Sequence, residues 1–353
     1  QKWTLFPYTT LFRSLSSMIS FHAARRLEHL EDISLRGLLH GHNFKATIKT
    51  ELSEDYVSLE LLNQKFRKHI NKFNYSDLNE HLSEPSDLNL AHTIFKESED
   101  ISPIRLAVSS TDYVGAFVDL NNLQVIWKSF TFQASHQLPN VPDGHKCKNM
   151  HGHTFRVILY LDSLAGQKVF GIERACDELK EELNMRCLNK IAGLENPTSE
   201  NLASWIWSKI SLLGIPIIKV EVMENSNSGC IFNGVEHEIW KQYSLEAAVS
   251  YNQDKEIYGF GYKTKLFIKN SLDEEKGWVM DFGDIKAIFK PIFNKMDHHY
   301  INEIEGLDKP SIFDITKWMR MLLKDYPQLS KVHLYESEGN GVEININKDA
   351  HER

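Results

Sequence analysis

Cysteine is scarce in this chain, with four in 353 residues and no CxxC spacing among them. That argues against a disulfide framework and suits a reducing compartment, so a cytoplasmic protein is expected. Cys176, Cys187 and Cys230 read as small buried hydrophobes. Positive charge is not in excess either. Forty Lys and Arg against 48 Asp and Glu leave a net charge of −8, which offers no basic footprint for nucleic acid. No apolar run is long enough to span a bilayer, so no membrane partner is expected, and there is no low-complexity linker.

What is present concentrates between Phe132 and Phe155, which read FQASHQLPNVPDGHKCKNMHGHTF. His151 and His153 flank Gly152, so on a strand both side chains leave the same face and can grip one ion. His136 supplies a third nitrogen. Three protein ligands leave one tetrahedral position open, the layout of a catalytic rather than a structural zinc. Cys147 has two readings that stay open. It closes the site as a fourth ligand, or it is a free thiol whose proton loss is favoured by nearby positive charge. A lone His-X-His pair arises often by chance; His136 and Cys147, in a Gly- and Pro-punctuated segment, make this one more specific.

The pattern F-x-A-x-H-x-L-P followed by G-H-K-C-x-x-x-H-G-H-T-F resembles the 6-pyruvoyl- and 6-carboxy-tetrahydropterin synthases, which act on 7,8-dihydroneopterin triphosphate. The three residues between Cys147 and His151 are similar to the 6-carboxy, queuosine-precursor branch. GLENPTSENLASWIW (Gly193 to Trp207) and VEVMENSNSGCIF (Val220 to Phe232) match the family's later half. The same unit is written twice more. WVMDFGDIKAIFKPIFNKMDHHY at 278–300, then GLDKPS and VHLYESEGNGVEI, mark a third repeat over 237–353. FHAARRL, LLHGHNFKATI and LAVSSTDYVGAFV echo the order about 110 residues earlier, giving a first repeat over 15–121 and a second over 122–236. Leu5 to Ser14, LFPYTTLFRS, looks like a sequencing adapter read in frame, so residues 1–14 are set aside and native sequence is expected from near Leu15 or Met18.

Each copy has lost something. The second repeat keeps the three histidines and Cys147 but has Asn184 and Met185 where the family has an Asp-His pair. The third keeps that pair as Asp297 and His298, while its metal positions are Val249, Tyr258 and Phe260. The first retains His40 and His42 but has Arg25 for the third ligand, Arg36 for the cysteine and Asn74-Tyr75 for the pair. Arginine has no free lone pair for a metal, so the first repeat reads as structural.

The resemblance implies an α+β tunnelling fold: three tandem repeats close an antiparallel barrel as an intrachain pseudo-trimer, with helices outside and sites at the boundaries. Two such pseudo-trimers stacking as a dimer is compatible with this. One composite site is expected, with Zn2+ on His136, His151 and His153, and with Cys147 facing Asp297 and His298. Zinc acts there as a Lewis acid on the substrate side chain, Cys147 removes a proton, and His298, oriented by Asp297, relays one. Glu224 or Glu336 anchors the pterin amino and N3–H donors; Ser110 offers the first repeat no such anchor. Lys146, Lys148 and Arg156 are candidates for the triphosphate. His22, His92, His145, His237, His299 and His333 are set aside as surface or core residues, and Trp205, Trp207 and Trp318 as packing. The 6-carboxy product requires loss of triphosphate and a two-carbon aldehyde. A 6-pyruvoyl synthase, losing triphosphate only, and an inactive zinc- or pterin-binding or scaffold protein stay open beside it. Helices are expected at Asp177–Leu183, Glu200–Ile210, Ile285–Asn294 and Ile312–Lys324.

Overall fold

Alternating apolar and polar residues build long strands. A computed structural model of the chain describes residues 12–28, 37–52, 58–164, 171–251 and 256–345; Arg36 and residues 1–11 lie outside that range. Strand β7 (His151–Asp162) buries Phe155, Val157, Leu159 and Leu161 on one face. It pairs over its whole length with β6 (Gln124–His136), from Val125 opposite Asp162 to His136 opposite His151. β9 (Ile217–Asn225) and β10 (Ser228–Phe232) complete a four-stranded unit.

The same order recurs in β1 (Phe12–Arg25), β2 (His40–Glu51), β4 (Pro103–Ser109) and β5 (Val114–Asp119), and in β11 (His237–Val249), β12 (Tyr258–Lys269), β14 (Leu329–Ser337) and β15 (Asn340–Asn345). Register is kept as well as order: Arg25 lies opposite His40, His136 opposite His151 and Val249 opposite Tyr258. Pairings β5–β6, β1–β15 and β10–β11 close the twelve strands into an antiparallel barrel. Phe12 to Ser14, the end of the adapter-like stretch, pair with Asn345, Ile344 and Glu343.

Two-residue strands β3 (Ser76–Asp77), β8 (Arg186–Cys187) and β13 (His299–Tyr300) add parallel to β1, β6 and β11. A strand has two edges. β12 takes one edge of β11 along its length, so β10 at residues 237–241 and β13 at Ala247 and Ala248 share the other, the edge toward the second repeat.

Among the described residues six α-helices, α1 (Leu59–Ile70), α2 (Asp87–Glu97), α3 (Ile172–Leu183), α4 (Ser199–Leu212), α5 (Phe282–Met296) and α6 (Ile312–Leu322), cover the strands. α3 and α5 begin before the expected Asp177 and Ile285. In α3 the buried stripe Ile172, Ala175, Cys176, Leu179 and Leu183 already follows helical spacing, and in α5 the Asp281 carboxylate caps the first turn. The helix side is apolar; the barrel lumen, about 1930 Å³, is polar. Lys49 pairs with Glu343 at 2.6 Å and Lys331 with Glu238 at 3.0 Å.

On the helix side Phe132 stacks on Phe155 at 5.0 Å, and Phe155 lies edge-on to His136 and His153 at 5.5 Å each. The apolar stripe of β7 therefore runs straight into the histidines, which sit on the helix side of the rim and not in the lumen. Phe155→Ala is expected to cost about 3–5 kcal/mol, measured as the shift of the urea midpoint times the slope, and to loosen the histidine floor.

Candidate active site

His136, His151 and His153 come together, each offering a ring nitrogen within 4.8 Å of the others. Strand register delivers two of them as direct neighbours. The His136 Nδ1–H donates to the Pro197 carbonyl at 2.9 Å, and His151 Nδ1–H to that of Asn149 at 2.8 Å. Both rings are thereby fixed with Nε2 as the free lone pair, the usual outer support of a metal ligand. His136 Nε2 is buried without a hydrogen-bond partner. Burial pushes the His136 pKa down to about 4, and burial with His151 and Lys146 lowers that of His153. Neutral, oriented imidazoles with an orphaned buried nitrogen fit a zinc ion.

Cys147 sits in a short 3-10 turn, Lys146–Lys148, beside this cluster. The chain's own environment does not favour its thiolate. Burial is the main cause of its raised pKa, with Glu224 and Asp281 adding to it and Lys146 alone opposing. The positive charge expected to favour proton loss is thus not supplied by side chains. Glu224, at the end of β9, faces the same cleft; burial and the neighbouring Glu200 raise its carboxyl to about 7. No hydrogen bond to its carboxylate is found among the described residues. Of the triphosphate candidates, Lys148 is paired with Asp143, and Arg156 is held by the Asp112 carbonyl and Ser129, so only Lys146 faces the cleft.

The third repeat forms the far wall. Asn196 bonds the Lys276 carbonyl at 2.7 Å, Thr198 that of Gly277 at 2.5 Å, and the Val279 N–H donates to Glu200 at 2.9 Å. His145, set aside in the sequence as a surface or core residue, bonds Asp281 at 2.7 Å with Trp278 beside its ring at 5.8 Å. Lys241 of β11 also reaches this cleft, its pKa lowered by burial and by Lys146. Asp281, Lys241 and Glu200 were not singled out from sequence. The N-cap position of Asp281 was the one available signal, and it says nothing of a partner 136 residues away.

Asp297 and His298 pair at 2.9 Å through Nδ1, and Asp297 also accepts the Glu246 N–H. His298 is exposed, on the β13 edge of β11 that faces the second repeat. No hydrogen bond or ion pair joins it to Cys147 among the described residues. Its positive φ of 58° is shared by Tyr75 and Met185 at the same place in the other repeats, so that conformation belongs to the fold and not to the chemistry. Glu336 differs from Glu224: it accepts a hydrogen bond from Tyr251 of its own repeat.

In the first repeat the metal position holds an ion pair. Arg25, 5% exposed, donates to Asp87 at 2.6 Å and to the Pro85 carbonyl at 3.0 Å, and Asp87 also accepts from the Ser110 N–H and hydroxyl. A guanidinium thus stands where the second repeat gathers its third imidazole, and burial together with Arg25 holds His42 neutral, its pKa down to about 4.

A closed twelve-stranded barrel of repeated four-stranded units, with a three-histidine pocket at one boundary, defines a tunnelling-fold protein. The sequence pattern of the family described as 6-pyruvoyl tetrahydropterin synthase matches residues 125–235 and again 234–347. The chain belongs to that family. The 6-carboxy-5,6,7,8-tetrahydropterin synthase of Synechocystis sp. is 40% identical over 116 residues, 30% of this chain and 88% of that protein. The dihydroneopterin monophosphate aldolase of Pyrococcus furiosus is 27% identical over 101 residues, 28% of this chain and 85% of that one. The solved Caenorhabditis elegans 6-pyruvoyl tetrahydropterin synthase aligns with TM-score 0.28 at 20% identity, covering 31% of this chain and 94% of that one.

Two outcomes follow from these contacts. Arg25→Ala leaves Asp87 buried and unpaired, so it is expected to cost about 3–5 kcal/mol in chemical unfolding, much of it recovered in the double variant Arg25→Met/Asp87→Leu. Burial raises the Glu200 carboxyl to about 7, so the stability of its protonated form is complete below about 4.5 and lost as pH rises through about 7. Glu200→Gln cannot ionise and should gain on the wild type by up to about 3 kcal/mol across that window, read as a difference of unfolding free energies at matched pH.

Proposed function

We propose that this chain is a zinc-dependent 6-carboxy-tetrahydropterin synthase-like lyase. It acts on 7,8-dihydroneopterin triphosphate at one composite site between the second and third repeats. The observation that carries the reading is how retained and lost residues sort by boundary. Each rim pocket opens toward the next repeat around the barrel. The pocket of His136, His151, His153 and Cys147 opens toward the repeat that carries Asp297 and His298. The Val249, Tyr258 and Phe260 pocket opens toward Asn74 and Tyr75, and the Arg25 pocket toward Asn184 and Met185. The Val249 boundary has lost both halves, the Arg25 boundary keeps His40 and His42 but lacks the third histidine, the cysteine and the Asp-His pair, and one boundary has kept both, which favours shared use over independent decay of the copies. The name of the Synechocystis relative supports the 6-carboxy branch.

His136, His151 and His153 would hold the metal, which when bound supplies Lewis acidity to the oxygens of the substrate side chain. Glu224, whose carboxylate takes no hydrogen bond among the described residues, accepts the 2-amino and N3–H donors of the pterin ring. The Cys147 thiol, once ionised in the loaded site, takes a proton from the side chain. His298 holds its Nδ1 proton toward Asp297, which leaves Nε2 to accept or return one. The Tyr251 bond to Glu336 disfavours that carboxylate as the anchor, and the Arg25 pair supports a structural role for the first repeat.

Incubating zinc-loaded protein with dihydroneopterin triphosphate and identifying pterins by mass tests this. A 6-carboxy product is expected, falling about 10²–10⁴-fold in Cys147→Ala and in His298→Ala with zinc content intact, whereas His153→Ala should lose the metal. A 6-pyruvoyl product reassigns the branch. No turnover at full zinc occupancy overturns the reading in favour of a pterin-binding protein.

A further inference from the structure

Cys147 is held less firmly than the histidines it accompanies. Its carbonyl accepts from the Leu138 N–H at 2.8 Å, but Lys146, Lys148 and Asn149 around it are exposed. What reaches the turn from the rest of the protein is His145. Its Nδ1 accepts the Cys147 N–H at 3.2 Å and its Nε2 bonds Asp281 Oδ2 at 2.7 Å. These contacts settle the tautomer: with Nδ1 accepting, the ring proton is on Nε2 and is donated to the carboxylate. Both side chains are about one-fifth exposed, at 22% and 21%.

The far end of this link is rigid. Residues 276–279 are tied to the start of α4 by Asn196, Thr198 and Glu200, and the other oxygen of Asp281 caps α5 through the Gly283 N–H. The corresponding first helices of the other repeats begin at Ser58 and Gly171. Neither has an acid there, so the one carboxylate at this place faces the one pocket that keeps its cysteine.

We propose that His145 and Asp281 form a strut across the repeat boundary that positions the Cys147 thiol, which makes both of them positioning residues for the site. Its catalytic consequence rests on the composite-site reading; its geometric consequence does not. The third repeat then contributes twice, once through His298 and once by holding the thiol of the second repeat in place.

Two variants separate the strut from the charge and from the helix cap. Asp281→Asn removes the charge and keeps one oxygen, which turned to His145 accepts its Nε2–H but gives up the α5 cap. Asp281→Ser also removes the charge and caps the helix, as Ser58 does, yet it is too short to reach the imidazole. A site disturbed more in Asp281→Ser than in Asp281→Asn therefore reports the hydrogen bond, because loss of the cap acts in the opposite direction. Site-resolved iodoacetamide alkylation of Cys147, followed by peptide mass, is expected to be several-fold faster in Asp281→Ser than in Asp281→Asn at equal zinc content. With turnover, kcat should fall about 10–100-fold in Asp281→Ser and stay near the wild type in Asp281→Asn, with little change in KM. Equal alkylation rates and equal kcat in the two variants would falsify the strut. If the wild type turns over nothing while alkylation still separates the variants, the strut stands and the synthase reading falls.

Discussion

A β-strand has two hydrogen-bonding edges, and the way β1, β6 and β11 divide theirs decides where everything else in this protein can go. One edge of each is filled by the next strand of its own repeat, in a register that sets Arg25 against His40, His136 against His151 and Val249 against Tyr258. The other edge is shared between a strand from the neighbouring repeat and a two-residue strand that follows the repeat's own helix. Closure of the barrel and placement of the Asp297–His298 pair are therefore one event. A slip of one residue would turn every ligand to the wrong face.

The two faces of the barrel solve different problems. Outside, stacked pairs such as Phe21 with Phe44 and Phe132 with Phe155 pack under the helices, and the three-histidine pocket is the place where that apolar face runs out. Inside, charged residues are buried and must find partners. Burial opposes ionisation of Glu343, yet the Lys49 ammonium and hydrogen bonds from Lys49 and Tyr335 outweigh it and hold the carboxyl low, while His333 is kept neutral by burial, its pKa pushed down to about 3. A buried charge left unpaired is costly, and the Arg25–Asp87 pair follows the same rule in the repeat that lacks a third imidazole.

Much of this was legible in the chain. Spacing of two on a strand put His151 and His153 on one face, and the repeat of the motifs, with the family resemblance, foretold three like units closing a barrel with two helices each in the second and third. The Asp297–His298 pair was legible as a pair. Less legible were the starts of α3 and α5, where a buried stripe and an Asp cap extend the helices beyond the clearest periodicity. The lumen charges were not foreseen, because alternate polar residues on a strand look the same whether they face water or each other. The side-chain surroundings of Cys147 were not legible either. Lys146 and Lys148 flank it in sequence, but Glu224 and Asp281 approach it in space, and Lys148 turns away to Asp143.

The sequence by itself determined the histidine pattern, the threefold repetition and the family, since each depends on residue types at short, regular spacings that local backbone geometry converts directly into a face or an edge. The tertiary structure alone decided which rim pocket faces which repeat, that His145 of one repeat bonds Asp281 of another, and that Tyr251 engages Glu336 while no hydrogen bond to Glu224 is found among the described residues. Those relations join positions far apart in the chain, and hydrogen bonds and electrostatic fields act over distances in space that barrel closure sets.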